Sequence, residues 1–270
     1  VNPVLLGVVL LYVGVVLIVN GIWLIGQARA AAVASRMPAM ETATVGATVR
    51  RGLAEEAAAG QELAGEPVTV PPLLNVQASP WYIQNREVSI LNAFTGFVGV
   101  AVSIFYLVEG GTARLPILGL PSVRASGFIL LFAFTYLWVA YNQYANAGGR
   151  GLGWYSLFVA ITAIPAGIFT LTAGNLTTAD IWLGVNWFAW AVLWALFWAL
   201  LTMELPIARI TGWVAILEGA GTSWALAIAI LEGKLTFLSA GPRFGRETAV
   251  LWAVCEAGTG SVIIGASCAS

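Results

Sequence analysis

Glu218 is the single charged residue between Ile210 and Leu231, in the string Gly212-Trp213-Val214-Ala215-Ile216-Leu217-Glu218-Gly219. A carboxylate among such neighbours can carry a proton, accept hydrogen bonds from a polar solute, or join helices as a neutral acid. At the centre of a bilayer it costs at least about 2.5 kcal/mol unless it faces a partner or water, so it points inward. A functional role and structural glue both stay open. The second set of residues is aromatic. Trp187, Trp190, Trp194 and Trp198 recur at spacings of three and four, which puts them on one helical face, with Trp182 off the stripe. Membrane tryptophans gather at interfaces, yet Trp190 and Trp194 fall about 15 to 20 Å into their helix, so they belong to its interior side. Phe128, Phe132 and Tyr136 make a like ridge at intervals of four, while Phe134 and Trp138 point elsewhere. Each ridge serves equally as a packing stripe or as the wall of a pathway.

A buried carboxylate and two aromatic ridges together suggest a narrow, mostly apolar passage with sparse polar contacts. Ions do not suit it, since there is no ring of charges and no carbonyl-rich filter string such as TVGYG. A flat, neutral, amide-like solute fits better: its faces lie against rings while its N–H groups donate to a carboxylate or an Asn oxygen. Asn20, Asn92, Asn142 and Asn186 could line such a route or tie helices by hydrogen bonds, and the tie is the reading we favour for each. Gly7, Gly14 and Gly21 repeat every seven residues, a structural seam where another helix can approach closely.

The elements that must position these residues are read from the distribution of charge. The 270 residues are 59% hydrophobic and 9% charged, far from the quarter or so of charged residues usual in soluble domains. Runs free of Asp, Glu, Lys and Arg extend from Val1 to Ala28, Val88 to Val108, Ala125 to Gly149, Gly151 to Ala179 and Ile181 to Met203. With the stretch around Glu218 they make six runs, each long enough for the roughly 20 residues that span a bilayer. The first run lacks the basic flank of a signal peptide and is read as a span. Caps and breakers place helices near 3–26, 88–108, 123–146, 153–174, 180–204 and 207–231. Residues 28–86, rich in Ala, Gly, Glu and Pro, read as a cytoplasmic insertion, either a flexible linker or a short amphipathic helix over 45–64. Residues 1–234 are thus one channel-like domain interrupted by that insertion, and 235–270 are a tail of unassigned structure. Loops after the first, third and fifth helices carry Arg29, Arg36, Arg50, Arg51, Arg86, Arg150 and Arg209, those after the second and fourth only Arg114 and Arg124, which favours both termini outside.

Several classes drop out. Net charge is −1 without a basic patch, so nucleic acid is not a partner. There is no histidine, and Cys255 and Cys268 are the only cysteines, so no metal or cofactor site is expected. The two thiols could pair, but two unrelated thiols is the favoured reading. With no nucleophile–base pair either, the chain is expected not to be an enzyme.

Particular strings resemble the AmiS/UreI family of urea and short-chain amide channels. They are Val9-Leu10-Leu11-Tyr12-Val13-Gly14 with Asn20-Gly21, Phe132-Ala133-Phe134-Thr135-Tyr136-Leu137, and Trp154-Tyr155-Ser156-Leu157-Phe158-Val159-Ala160-Ile161. Trp190-Ala191-Val192-Leu193-Trp194 and Ala215-Ile216-Leu217-Glu218-Gly219 continue the match, and the second helix from Val88 to Phe97 is also similar. The resemblance implies an all-α bundle of six transmembrane helices, assembled as a ring-shaped homo-hexamer with a solute pore in each protomer. It implies pore-lining roles for Leu10, Leu17, Phe132, Tyr136, Trp187, Trp190, Leu193, Trp194 and Glu218. The expected function is then a passive channel for urea or short-chain aliphatic amides in a bacterial plasma membrane, feeding a cytoplasmic amidase or urease. Two rivals are a proton-coupled secondary transporter using Glu218 and a receptor or scaffold without transport. The chain departs from the resemblance in the insertion, in the tail and in its lack of histidine, which rules out the histidine gating of acid-activated relatives.

Overall fold

Helix formation here follows from hydrophobic runs in which every backbone N–H and C=O must be satisfied within the segment. The computed structural model describes residues 3–35, 79, 82–112, 116–173 and 176–235, apart from the side chains of residues 3 and 116–120, and all of these lie in the unit formed by residues 1–238. They form helices α1 (Pro3–Ala34), α2 (Asn85–Gly111), α3 (Pro116–Ala145), α4 (Arg150–Leu171), α5 (Thr178–Leu201) and α6 (Ala208–Leu231). Among the described residues six helices are long and apolar enough to cross a membrane, in the places that the five charge-free runs and the stretch around Glu218 indicate.

The ends differ from expectation in instructive ways. Helix α1 runs on to Ala34 instead of stopping near residue 26, because Arg29 sits in an alanine-rich stretch of high helix propensity. So the apolar insertion boundary at residue 28 falls inside a helix. Helix α2 starts at Asn85, where the Glu87 carboxylate accepts the Gln84 N–H at 2.9 Å. Thr177 and Asp180 make a reciprocal box at the start of α5, with Asp180 N–H donating to Thr177 Oγ1 at 3.1 Å and Thr177 N–H to Asp180 Oδ2 at 2.9 Å. Most of the insertion, and the tail beyond Leu235 with both cysteines, lie outside the described residues.

Three antiparallel pairs build the bundle: α2 with α3, α4 with α5, and α1 with α6. The last pair is the glycine seam. A Cβ on Gly14 would come 2.6 Å from the Trp224 backbone nitrogen, and one on Gly219 would come 2.8 Å from the Gly14 carbonyl oxygen. Gly7 faces Leu231, and Gly21 faces Gly212. The heptad of glycines on α1 therefore meshes with Gly212 and Gly219, also seven apart, on α6. Beside this seam α1 is bound to α2 by two buried amides: Asn20 Nδ2 donates to Asn92 Oδ1 at 3.0 Å and Asn92 Nδ2 to Asn20 Oδ1 at 2.7 Å.

The outer surface is the reverse of a soluble protein's. Phe94, Phe97 and Phe105 on α2, Trp154, Phe158 and Phe169 on α4, and Trp213 and Leu217 on α6 are all more than half exposed, a surface that only lipid or further protein can solvate. At the end where α1, α3 and α5 finish, short turns close the hairpins. Asn146 (φ 50°) and Glu204 (φ 54°) take left-handed conformations there, and Arg150 bridges the two turns through Glu204 at 2.6 Å. This ion pair is solvent-exposed and contributes at most about 1 kcal/mol.

Candidate functional site

Helices α3 and α5 do not pack backbone to backbone; their aromatic rings fill the space between them. Phe132 is the hub. Its ring centroid lies 5.5 Å from Trp187, 5.4 Å from Trp190 and 5.9 Å from Trp194. Phe128 extends the cluster with a 5.0 Å contact to Trp187, and Tyr136 extends it the other way with a 6.4 Å contact to Trp194. Such distances fit tilted and edge-on aromatic pairs, each of about 0.5–1.5 kcal/mol beyond area burial. The two ridges read from the sequence thus meet each other. Trp198 does not join them: its ring turns to Trp154 of α4 at 6.3 Å. Phe134 and Trp138 stay off the ridge, as their spacing predicts: Phe134 is exposed, and Trp138 packs on Tyr155 of α4 at 5.8 Å.

Leu10 of α1 packs into the core that holds Trp187, Trp190 and Trp194, whereas Leu17, Tyr136 and Leu193 belong to an adjoining core. The sites named from the sequence are therefore contiguous across α1, α3 and α5. Below the rings, towards the ends of α1, α3 and α5, a cavity of about 60 Å³ opens, reached by Leu17, Tyr136 and Trp194. That is room for several waters at about 10–15 Å³ each. Its polar lining comes from Asn20, Thr135, Tyr136, Gln143 and Ser156 on otherwise apolar walls. Thr135 and Ser156 donate their hydroxyls to Leu131 and Leu152 carbonyls of their own helices, and Asn20 is engaged with Asn92. With their protons committed, Thr135 and Ser156 offer oxygen lone pairs to the cavity, beside the Tyr136 hydroxyl and the Gln143 amide.

Glu218 lies half-buried on α6, within electrostatic reach of Tyr136. Its Oε2 is one of four buried side-chain polar atoms without a hydrogen-bond partner among the described residues, with Ser103 Oγ, Trp198 Nε1 and Thr211 Oγ1. The next residue begins a π-helical turn, Gly219–Trp224, between the α-helical pieces Ala208–Glu218 and Ala225–Leu231. Such turns concentrate at functional sites. Here it meets α5: Trp190 Nε1 donates to Thr222 Oγ1 at 2.9 Å and Asn186 Nδ2 to the Thr222 carbonyl at 2.6 Å. Thr222 Oγ1 in turn donates to the Glu218 carbonyl at 2.6 Å. Asn186 is thus a helix tie, and so is Asn20 with Asn92; Asn142 donates to the Gly148 carbonyl at 3.3 Å in the turn before α4.

Sequence reasoning missed Thr222, the π turn and Phe197, whose ring lies 5.6 Å from Trp194. The available signal was the weak-helix string Gly219-Ala220-Gly221-Thr222 inside an apolar span.

Comparison with known proteins gives these features a family. The profile described as AmiS/UreI family transporter matches residues 73–234. The chain is 37% identical over 154 residues to a putative amidate substrates transporter protein of Mycolicibacterium smegmatis, covering 56% of this chain and 67% of that one. It is 29% identical over 160 residues to the acid-activated urea channel of Helicobacter pylori, covering 53% of this chain and 82% of that one. Among solved structures, the Helicobacter pylori urea channel in its closed state superposes with a TM-score of 0.58 at 26% identity, over 86% of this chain and 100% of that one. The six spans, the motifs quoted from the sequence and these matches agree: the chain is a multi-pass membrane protein that belongs to the AmiS/UreI family of transporters.

Proposed function

We propose that the chain is a passive membrane channel for urea or short-chain aliphatic amides, open without any histidine switch. One observation carries this reading: the continuous set of rings around Phe132, which ends on a small cavity with sparse oxygen acceptors. Ring faces accept a flat solute without binding it tightly, and the acceptors take its N–H groups in place of water. Leu10, Leu17, Phe132, Tyr136, Trp187, Trp190, Leu193, Trp194 and Glu218 line the route in this reading. The protomer works within a homo-hexamer in a bacterial plasma membrane, with the Arg29, Arg86, Arg150 and Arg209 end in the cytoplasm, both termini outside, and an amidase or urease consuming what enters.

The unpartnered Oε2 of Glu218 favours a second reading, a proton-coupled transporter, since intramembrane carboxylates of that kind carry protons in pumps. Swelling of proteoliposomes in urea or acetamide separates the two. Flux that rises linearly with concentration supports the channel. Saturable flux driven uphill by a proton gradient supports the transporter, and the absence of flux removes both.

A further inference from the structure

Two donors four residues apart on α5 grip one residue of α6. Asn186 and Trp190 share a helical face, and both end on Thr222, the first at its carbonyl and the second at its hydroxyl. Thr222 stands inside the π turn. Its N–H groups bond five residues back, as Ala225 N–H does to the Ala220 carbonyl, which breaks the regular ladder. A carbonyl in that interval can then accept from a neighbouring helix, and the Thr222 carbonyl accepts from Asn186. The hydroxyl is also committed: its proton goes to the Glu218 carbonyl at 2.6 Å, so its lone pairs are what it offers to the Trp190 N–H.

We propose that Thr222 is a positioning residue that fixes the Trp190 ring and keeps its N–H from the carbonyl oxygen of an amide in passage. Resting on the channel reading above, the proposal assigns the clamp to that same route. With its N–H held by Thr222, Trp190 turns no hydrogen-bond donor towards the solute. Phe132 meets the indole edge-on at 70° and Trp187 at 82°, so three rings keep their mutual angles only while the indole is pinned. A freed indole, 6% exposed and without an acceptor, would turn to find one, and the carbonyl oxygen of a passing amide is such an acceptor.

The test is Thr222→Val, which keeps the shape and removes the acceptor, beside Thr222→Ser, which keeps the acceptor. Proteoliposome flux of urea and acetamide is read together with the ultraviolet resonance Raman band that reports indole N–H hydrogen bonding, taken as the difference from the same variants in a Trp190→Phe background. T222V should lose the Trp190-dependent hydrogen-bonded signal in the absence of solute and lower the flux of urea and of acetamide by about fivefold, the factor for one hydrogen bond. T222S should restore both. A T222V protein with the wild-type band and fluxes, or a T222S protein as altered as T222V, overturns the proposal. If the parent protein passes neither solute, the channel reading fails on that measurement, while the indole band still decides whether Thr222 holds Trp190.

Discussion

Replacing Glu218 by Gln removes the ionisable group and leaves shape and an acceptor oxygen in place. Glu218 is the eleventh residue of α6, which begins at Ala208. Ten steps at about 1.5 Å put it about 15 Å along the helix, half of a hydrocarbon core of about 30 Å. At that depth an ionised side chain costs about 2.5–3.5 kcal/mol on insertion scales, so E218Q should fold and assemble at least as well as the parent protein. Its effect on transport should run the other way. A hydrogen bond from a solute N–H to a charged acceptor contributes about 1.5–3 kcal/mol, and to a neutral one about 0.5–1.5 kcal/mol. The difference, about 1 kcal/mol, corresponds to about a fivefold fall in urea flux if an ionised Glu218 makes that contact where passage is limited. The assay pairs light-scattering swelling of proteoliposomes with thermal stability and oligomer size in detergent. A correctly assembled E218Q protein with parental urea flux would return Glu218 to structural glue; a large loss of stability would show that the carboxylate is held by a partner in the assembled protein.

Three further outcomes are expected. Urea flux should stay nearly flat from pH 5 to 7.5, a range chosen around the histidine value of about 6.5, since the chain has no histidine; a steep rise on acidification, read in the same swelling assay, would remove the ungated reading. Gly14→Ala should destabilise the bundle by about 1–3 kcal/mol, because its Cβ would press on the Trp224 backbone at 2.6 Å, and parental thermal stability would show that α1 and α6 can part at little cost. Deleting residues 37–80 should leave insertion and flux largely intact, because Trp23 Nε1 and Gln27 Nε2 already join α1 to Asn85 Oδ1 at 3.1 and 3.3 Å; loss of assembled protein on blue native gels would show that the segment packs against the bundle.

What the sequence made legible was whatever repeats locally. Five charge-free runs and the stretch around Glu218 mark the six spans because the lipid core excludes nearly all charge regardless of which helices pair. The ridges at Trp187, Trp190 and Trp194 and at Phe128, Phe132 and Tyr136 are visible because helical spacing alone sets their faces. Which ridge meets which is a long-range property, and spacing cannot provide it. Trp198 illustrates the limit: it shares the stripe's phase and still packs on Trp154, because a neighbouring helix offers it a ring. The α1–α6 pairing had half of its signal on the page, in Gly7, Gly14 and Gly21, and the other half in the matching spacing of Gly212 and Gly219. Helix ends were harder. Arg29 looks like a boundary to any argument from charge, although the alanines after it continue the helix to Ala34. The π turn leaves no mark on hydropathy, since one extra residue shifts the register without changing composition.

The paired amides of Asn20 and Asn92 bear on the speed of transit. Two primary amides that close a ring of reciprocal hydrogen bonds reproduce the contact that a urea or acetamide molecule would seek from the wall, and Asn20 borders the cavity. Asn92 spends both of its N–H groups, the second on the Val88 carbonyl at 2.9 Å, and Asn20 spends one, so the pair has less left with which to hold an amide in passage. A conduit lined with vacant carboxamides would act as a sponge, holding each molecule until the next displaced it. In the channel reading, dimerising these amides shortens dwell times, so that throughput follows the gradient and not the rate of release.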